Sequence, residues 1–344
     1  MTFEKTAAGC LVAAALLLSG CAPSSAQPAP ATASAGAPVS ATPAPTADPT
    51  AAATPLSTST PIALPTVAQL SAPSGTVVWV LVGDTRLFRS VDRADTWLER
   101  TIPAGTTNLR ISFVSEREGW LMSGAPGGQC AIESIKIWHT TDGALTWDPT
   151  GTAGIAPSGC SNGITFVSQT TGFVAVADQE RSTVFYRTTG GGDSWSAPRA
   201  LPDPPGPVPT ADVRYSSGPV HAFGSVLLVT LERQATAGGM SFVYRSADNG
   251  ATWTYLATMP VAIRPAFVTA TRWMILLAPG QSQETTDAGA TWHSAASDYS
   301  QAAPYAPQVE FGDPQVGYAT VRGGIQRTVD GGLHWTHVGT PGTL

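Results

Sequence analysis

Hydrophobic and polar positions divide this chain into three stretches. An apolar run covers residues 7–18. Residues 22 to about 70 are dominated by Ala, Pro, Thr and Ser and contain no aromatic residue. Beyond them, short apolar segments separated by Gly, Asp, Asn and Ser recur up to the C-terminus. Short apolar segments bounded by turn residues indicate β-strands, so the third stretch is predicted to be all-β.

The predicted strands follow a regular order. A short apolar strand leads into a turn and then into a second strand that begins with Gly and an aromatic residue, as in residues 111–114 followed by 119–122. A third strand, such as residues 87–90, runs into an eight-residue motif. A fourth strand is expected to start at the Trp that ends this motif. The pattern therefore predicts units of four strands.

The eight-residue motif occurs six times after residue 70. Every copy starts with Ser or Thr, and five copies have Asp at the third position, namely Asp92, Asp142, Asp248, Asp287 and Asp330. Every copy ends with Trp, namely Trp97, Trp147, Trp195, Trp253, Trp292 and Trp335. Successive Trp residues are 39 to 58 residues apart, which is the size of a four-stranded propeller blade.

This spacing predicts a six-bladed β-propeller of four-stranded antiparallel blades over residues 71–344, with seven blades as the alternative. The chain ends soon after Trp335. We therefore expect the segment near residues 65–72 to supply the strand that closes the ring.

The motif has the composition of a hairpin turn. Asp is expected to accept hydrogen bonds from backbone N–H groups two residues on, Gly to supply a positive φ, and Trp to pack between neighbouring sheets. The third copy has Gly190 in place of Asp, so its turn should be looser. Ala94 and Ala144 replace the usual Gly in the first two copies, so mild backbone strain is expected there.

The motif resembles the Asp box, or BNR repeat, of sialidase-like propellers, whose pattern is Ser/Thr-x-Asp-x-Gly-x-Thr-Trp. Residues 327–335, with the Gly-aromatic second strand, are similar to repeats of the non-enzymatic propellers related to photosystem II assembly factors and of bacterial lipoproteins that share them. The resemblance covers about residues 75–340. It implies an architecture and a scaffold-like role, without identifying a partner.

The N-terminus ends its apolar run in Leu18-Ser19-Gly20-Cys21, which resembles the bacterial lipobox. This implies that residues 1–20 are a lipoprotein signal peptide and that Cys21 receives a diacylglyceryl group. An ordinary secretory signal or an uncleaved anchor is the alternative. Residues 21–70 would then be a lipidated, disordered tether, anchored by two acyl chains in the lipid bilayer. The predicted location is the extracytoplasmic face of the cell membrane.

Composition narrows the partners further. Only 12% of the residues are charged and the net charge is −6, so a nucleic-acid partner is not expected. Cys130 and Cys160 are an even pair in an oxidising location, which predicts a disulfide, with two unpaired thiols as the alternative. The five histidines form no metal-ligand motif, and no metal or cofactor is expected.

The residue before each motif is basic in most copies and marks possible binding positions: Arg89, Arg187, Arg245 and Arg327, with His139 in the second copy and Glu284 in the fifth. These side chains could grip an acidic partner as a ring. The preferred interpretation is structural, with each Arg pairing with acidic groups or backbone carbonyls between blades.

Topology separates two faces. The motif loops and the loops between first and second strands should share one face. The irregular segments 125–133, 202–213 and 233–241 fall on the other face, which is therefore the candidate binding surface.

Catalysis is tested by what the sialidase resemblance requires: three arginines, a Tyr–Glu pair and an acidic proton donor. The Phe-Arg-Ile-Pro motif that carries the first arginine is missing from the sequence. Arg264-Pro265 lacks its position and context. We therefore expect a monomeric, non-catalytic binding or assembly propeller for a protein or glycan. A sialidase-like glycoside hydrolase is the alternative, and it predicts a polar central pocket with three converging arginines and a Tyr beside a Glu.

Overall fold

The computed structural model describes residues 62–64, 66–124, 135–156, 160–177, 183–206, 213–236, 238–277, 280–300 and 307–343. Within these ranges, strands form six antiparallel sheets in chain order. The predicted six-bladed β-propeller with four-stranded blades is confirmed. None of the described segments forms a helix that is long and apolar enough to cross a bilayer.

Each blade is made of consecutive strands. Blades 1 and 2 contain β1 (Ala68–Ser71), β2 (Val78–Val82), β3 (Arg86–Ser90), β4 (Leu98–Arg100), β5 (Leu109–Phe113), β6 (Gly119–Ser123), β7 (Lys136–Thr140) and β8 (Asp148–Pro149). Blades 3 and 4 contain β9 (Cys160–Phe166), β10 (Gly172–Ala177), β11 (Thr183–Thr188), β12 (Arg199–Ala200), β13 (Arg214–Ser217), β14 (His221–Phe223), β15 (Val226–Gln234), β16 (Met240–Ser246) and β17 (Thr254–Thr258). Blades 5 and 6 contain β18 (Ala266–Phe267), β19 (Trp273–Ile275), β20 (Gln283–Thr285), β21 (His293–Ser294), β22 (Gln308–Phe311), β23 (Gly317–Val321), β24 (Gly324–Thr328) and β25 (Thr336–Val338).

The repeated motifs connect the third and fourth strands, and they lie on the same face as the connections between first and second strands. Arg93 N donates to Thr76 O at 3.0 Å in blade 1, and Gly331 N donates to Gln315 O at 2.8 Å in blade 6. We call this the repeat face. The connections between second and third strands, and those from one blade to the next, lie on the opposite face, as predicted.

Blade 4 departs from the regular pattern. Its first strand is interrupted at residues 218–220, and the two parts, β13 and β14, both pair with β15. The Pro at position 219 has no backbone N–H to donate, so the sheet pairing cannot continue unbroken through it.

The apolar core lies in six clusters, each between consecutive blades. Trp79 of blade 1 stacks on Phe113 of blade 2 with ring centroids 3.7 Å apart. Trp253 at the end of the fourth motif packs against Phe173 and Phe185 of blade 3. Large aromatic side chains are thus buried between sheets, where they remove the most apolar surface from water.

The Gly-aromatic start of the second strand has a packing cause. A Cβ atom on Gly119 would lie 2.1 Å from Cδ1 of Phe113, because the phenyl ring of the first strand rests on this glycine. Gly172 has the same relation to Phe166 at 2.6 Å. The glycine leaves room for the ring, and the ring in turn reaches the neighbouring blade.

The expectation that residues near 65–72 close the ring with a strand of the last blade was wrong. Strand β1 is the first strand of blade 1, and blade 6 is completed by β22 to β25. The residues after Trp335 suffice because the fourth strand, β25, needs only Thr336–Val338. Blades 6 and 1 are joined by backbone bonds of the segment before β1, with Ile62 N donating to Gly342 O at 2.9 Å and Thr66 N donating to Arg322 O at 3.2 Å. Side-chain bonds also join them, with Gln308 Nε2 donating to Leu70 O at 3.2 Å and Leu70 N donating to Gln308 Oε1 at 3.1 Å. The first strand starts at residue 68, slightly before the predicted boundary at 71.

Candidate functional site

The repeated turns hold their polar groups by internal hydrogen bonds. In the first copy, Thr96 donates to Asp92 from its backbone N at 2.9 Å and from its hydroxyl at 2.6 Å. Ser90 donates to Asp92 at 2.7 Å and accepts from Ala94 N at 2.8 Å. The carboxylate therefore accepts from the residue four positions on, not two as expected. The Ser90 hydroxyl, in contrast, accepts a hydrogen bond from the amide two positions on, Asp92 N, at 3.3 Å.

The reason for this pattern is a pair of consecutive left-handed residues. Arg93 and Ala94 have φ of 64° and 70°, and this double turn brings the Thr96 amide back to the carboxylate. Ala144 has φ of 61°. Ala94 and Ala144 therefore adopt the left-handed conformation expected from the sequence, which side chains with Cβ adopt at a cost.

The same contacts recur in the copies that contain Asp142, Asp248 and Asp287. The threonine hydroxyl that donates to each carboxylate lowers the pKa of Asp92, Asp248 and Asp287 to about 2. In the sixth copy His334 donates to Asp330 in place of threonine. In the third copy Gly190 N and Gly192 N still donate to Thr188 Oγ1, at 3.2 and 3.1 Å, but no carboxylate is present.

Three of the four arginines before the motifs reach the next blade on the repeat face. Arg89 donates to Glu116 O at 2.7 Å and Arg187 donates to Asn249 O at 2.7 Å. Arg327 donates to Arg93 O and to Asp95 Oδ1, the latter at 2.6 Å. Arg245 is exposed and makes no such contact within the described ranges. The guanidinium groups thus join blades rather than forming a ring of unengaged cations.

Of the three cysteines that carry predictions, the structure describes Cys160. Cys160 starts β9 opposite Ala177, at the end of blade 3 nearest the face opposite the repeats. Cys130 and Cys21 lie outside the described residues, so the disulfide and the lipidation stay predictions.

The first strands of the six blades surround a central cavity of about 1030 Å³. Its wall changes character along the axis. Toward the repeat face it is mainly apolar and includes Val114, Val167, Phe223, Val268 and Pro314. Toward the opposite face it includes Gln69, Asp84, Arg110, Asn162, Glu232 and Arg264. We call this second end the polar mouth.

Part of the polar wall is structural. Phe113 N donates to Ser71 Oγ at 3.0 Å, and Phe166 N donates to Ser112 Oγ at 2.8 Å. Each of these bonds joins the first strand of one blade to the first strand of the next. These hydroxyl groups therefore stabilise the ring around the cavity.

Among its described residues, the polar mouth contains one close ion pair. Arg264 donates to Glu232 Oε2 at 2.6 Å, and Ser216 donates to the same oxygen at 3.1 Å. Arg110 donates to Leu109 O at 2.8 Å and has no acidic partner among the described residues. Within the part of the chain that the structure describes, it is thus a cation at the cavity wall with no carboxylate paired to it.

A second pair lies deeper and crosses between non-adjacent blades. His221 Nδ1 of blade 4 is 3.8 Å from Glu310 Oε2 of blade 6. The ring of Phe267, from the intervening blade 5, meets His221 edge-to-face at a centroid distance of 5.2 Å. Gln308 Nε2 lies 3.4 Å from Glu310 Oε1.

The surroundings of this pair shift the pKa values of both side chains. Although 14% of the Glu310 side chain and 20% of the His221 side chain remain accessible from the cavity, protein encloses both groups. Burial raises the pKa of Glu310 to about 8 and lowers the pKa of His221 to about 4. Both groups are therefore neutral at pH 7.

Sequence reasoning did not single out either residue. A signal was present at Glu310, because it occupies the position that Ser112 and Thr165 occupy in other first strands. His221 follows the break in blade 4, which the strand pattern did not predict. No group of three or more His, Cys, Asp or Glu side chains in the described ranges is arranged to hold a metal ion.

The chain matches no family model and no curated protein sequence. Among solved structures it is similar to the α-L-arabinofuranosidase Arb93A from Fusarium graminearum in complex with an iminosugar inhibitor, with a TM-score of 0.51 and 11% identity over 77% of this chain and 91% of that one. It is also similar to YCF48 bound to a D1 peptide, with a TM-score of 0.44 and 20% identity over 80% and 82%. A polysaccharide lyase of family PL25, an ulvan lyase, gives a TM-score of 0.46 and 10% identity over 81% and 83%. The similarity to the arabinofuranosidase extends to the fold alone, and on that ground the chain is placed among the β-propellers.

Proposed function

We propose that this protein is a non-catalytic binding or assembly propeller that recognises a protein or glycan through the face opposite the repeats. The observation that carries this proposal is the polar mouth of the 1030 Å³ cavity at that face. A concave site with a few polar groups is the usual form of a binding site. Arg110 supplies a cation there that has no acidic partner within the described ranges.

The opposite end of the molecule supports the same assignment. On the repeat face, the motif carboxylates and the guanidinium groups of Arg89, Arg187 and Arg327 are already engaged in hydrogen bonds within the propeller. Groups that hold the fold together are poorly suited to binding a partner, because the partner would have to displace those bonds.

The binding experiment compares two arginines. Arg110→Ala at the polar mouth should weaken capture of the natural partner from envelope extracts, or of glycans on an array, by about tenfold or more, because a charged hydrogen bond contributes about 1.5–3 kcal/mol. Arg245→Ala, an exposed arginine beside a repeated motif, should leave binding unchanged. Loss of binding in the Arg245 variant with retention in the Arg110 variant would place the ligand on the wrong face for this proposal.

The second part of the proposal is that Cys21 anchors the protein to the outer face of a membrane. Support comes from the lipobox resemblance and from the Pro-rich segment that follows it. Metabolic labelling with palmitate should mark the full chain, and Cys21→Ala should abolish the label and release the protein from the membrane fraction. Cys10→Ala, within the apolar run, is the matched control and should retain the label. A labelled Cys21→Ala variant would contradict the anchor.

A glycoside hydrolase is the second candidate function. The described residues that line the cavity include two arginines, Arg110 and Arg264, and no tyrosine, which departs from the constellation that the sialidase resemblance requires. Glu310 favours the enzyme in another form, because a carboxyl group with a pKa of about 8 stays protonated at neutral pH and can donate a proton to a leaving group. Release of sugar from neutral glycosides by the wild-type protein, abolished in Glu310→Gln, would establish the enzyme and refute the non-catalytic assignment.

A further inference from the structure

The pair formed by His221 and Glu310 stands apart from the rest of the cavity wall. At the corresponding depth, Ser71 and Ser112 accept backbone hydrogen bonds from the next blade. Thr165 does the same more weakly, with Val220 N at 3.4 Å. Among the described residues, Glu310 bonds no backbone of the next blade, and its contacts are Gln308 and His221. The pair is thus polar without an evident role in closing the ring.

His221 and Glu310 are too far apart to use their hydrogen-bonding atoms on each other. At 3.8 Å, His221 Nδ1 and Glu310 Oε2 are too far apart for a hydrogen bond. Each group keeps donor or acceptor positions, and both remain partly accessible from the cavity. A buried polar group normally finds a partner, so a ligand in the cavity has two side chains to bind.

The charge state of His221 and Glu310 indicates which class of ligand the pair can bind. At neutral pH the pair provides a neutral carboxylic acid and a neutral imidazole, which together offer hydrogen-bond donors and acceptors without net charge. Among the described residues, the charged and titratable groups that line the same cavity are Asp84, Arg110, His221, Glu232, Arg264, Glu310 and Asp313. Arg264 is neutralised by Glu232, and the other fixed charges are at the mouth or beside the repeat-face loops.

A ligand that enters along the axis must bring an end group to this pair. Both ends of a peptide carry charge at neutral pH, and a charge placed against two neutral, enclosed groups loses solvation without compensation. The terminal residue of a neutral glycan carries hydroxyl groups instead. Its C–H surface can pack against Phe267, which adjoins His221. The cavity, at about 1030 Å³, lies at the upper end of the volumes of small-ligand pockets.

We propose that the central cavity binds the uncharged end of a glycan between His221 and Glu310. This inference rests on the proposed function, because it names the ligand class of the same cavity, entered from the polar mouth. In it, Glu310 donates its carboxylic proton to a sugar hydroxyl, and His221 binds a second hydroxyl from blade 4. The two side chains are binding residues, and no bond of the sugar is broken.

The test uses the full chain after removal of its signal and a panel of neutral oligosaccharides with their uronic-acid counterparts, with affinity measured by calorimetry between pH 6 and 10. We expect neutral oligosaccharides to bind at pH 6–7.5. Above a pH of about 8 their affinity should fall by about tenfold per pH unit, because ionised Glu310 can no longer donate.

Two variants make the test specific. Glu310→Gln has nearly the same shape and keeps an N–H donor at every pH, so it should bind at pH 7 and lose the decline above pH 8. Glu310→Ala should lose at least tenfold in affinity at pH 7. Arg245→Ala, far from the cavity, is the control for intact folding and should bind as the wild type does.

The possible outcomes separate the two proposals. Preferential binding of uronic-acid oligosaccharides that depends on Arg110 and is insensitive to Glu310→Gln at every pH would overturn the inference while leaving a binding propeller. Capture of a protein at the polar mouth, with no oligosaccharide bound, would do the same. Binding that only repeat-face substitutions abolish would refute both proposals. Hydrolysis of the bound oligosaccharide would refute the non-catalytic function and transfer the same site to the hydrolase alternative.

Discussion

Replacing Gly119 with alanine tests the packing rule that links neighbouring blades. The added Cβ would lie 2.1 Å from Cδ1 and 2.5 Å from Cε1 of Phe113, whereas ordinary contacts are 3.4–4 Å. The phenyl ring would have to shift by about 1 Å or more. It cannot shift freely, because it stacks on Trp79 at 3.7 Å and Trp79 is fully buried.

The expected loss of stability in Gly119→Ala follows from the confinement of the Phe113 ring. Overpacking a buried site costs about 1–3 kcal/mol, and a ring held against a stacked indole belongs in the upper half of that range. For a domain of this size, each 1 kcal/mol lowers the melting temperature by about 2–4 °C. We therefore expect Gly119→Ala to lose about 2–3 kcal/mol in urea unfolding and about 4–12 °C in thermal unfolding.

A matched control separates this packing from the general effect of a glycine replacement. Gly163 in strand β9 has no atom within 4 Å of an added Cβ, so Gly163→Ala should change stability by no more than about 0.5 kcal/mol. Combining Gly119→Ala with Phe113→Leu should cost less than the sum of the two single changes, because a smaller side chain removes the clash. Equal effects of the two glycine replacements, or strict additivity in the double variant, would refute the reasoning.

The remaining predictions concern the repeated turns and the seam between the last and first blades. Gly190→Asp restores the missing carboxylate at a position where an added Cβ meets no atom within 4 Å, so it should raise the free energy of unfolding by about 1 kcal/mol. An equal gain from Gly190→Ala would show that the carboxylate contributes nothing. The pKa of about 2 for Asp92, Asp248 and Asp287 in the folded state is below the unfolded value, so their stabilising contribution is complete above pH of about 4 and is lost as the pH falls toward 2. Urea midpoints measured from pH 6 to pH 2 should show this fall, and Asp248→Asn should reduce it, whereas an unchanged pH profile would argue against it. Arg327→Ala breaks the bond to Asp95 across blades 6 and 1 and should cost up to about 1 kcal/mol, less at 1 M NaCl, while Arg245→Ala costs nothing measurable. Equal stability of these two variants at low salt would remove Arg327 from the seam.

The sequence alone determined the architecture of this protein, because its strongest signals are local. A motif of eight residues specifies a tight turn through bonds that span at most four positions, such as Thr96 to Asp92. Its spacing along the chain predicts the number of blades. Even the left-handed conformation of Ala94 and Ala144 followed from alignment of the copies.

The sequence predicted less about contacts that depend on the geometry between blades. The sequence showed that an Arg precedes four of the motifs and favoured pairing between blades. Only the packed ring showed that Arg89, Arg187 and Arg327 make such bonds, whereas Arg245 makes none within the described ranges. The closing strand was assigned wrongly because the sequence does not show how short a fourth strand can be. Gln308, an unremarkable residue in the sequence, joins the last blade to the first.

The candidate site depends entirely on tertiary structure. His221 of blade 4 and Glu310 of blade 6 lie 3.8 Å apart. No motif or spacing near either residue in the sequence predicts this contact. They meet because six similar blades, each twisted and packed on the next, close around one axis and place all their first strands at the centre. The sequence thus determined the blade and its turn, which are set by short-range bonds. The cavity and the shifted pKa of Glu310 exist only once the whole ring has closed and enclosed that side chain in protein.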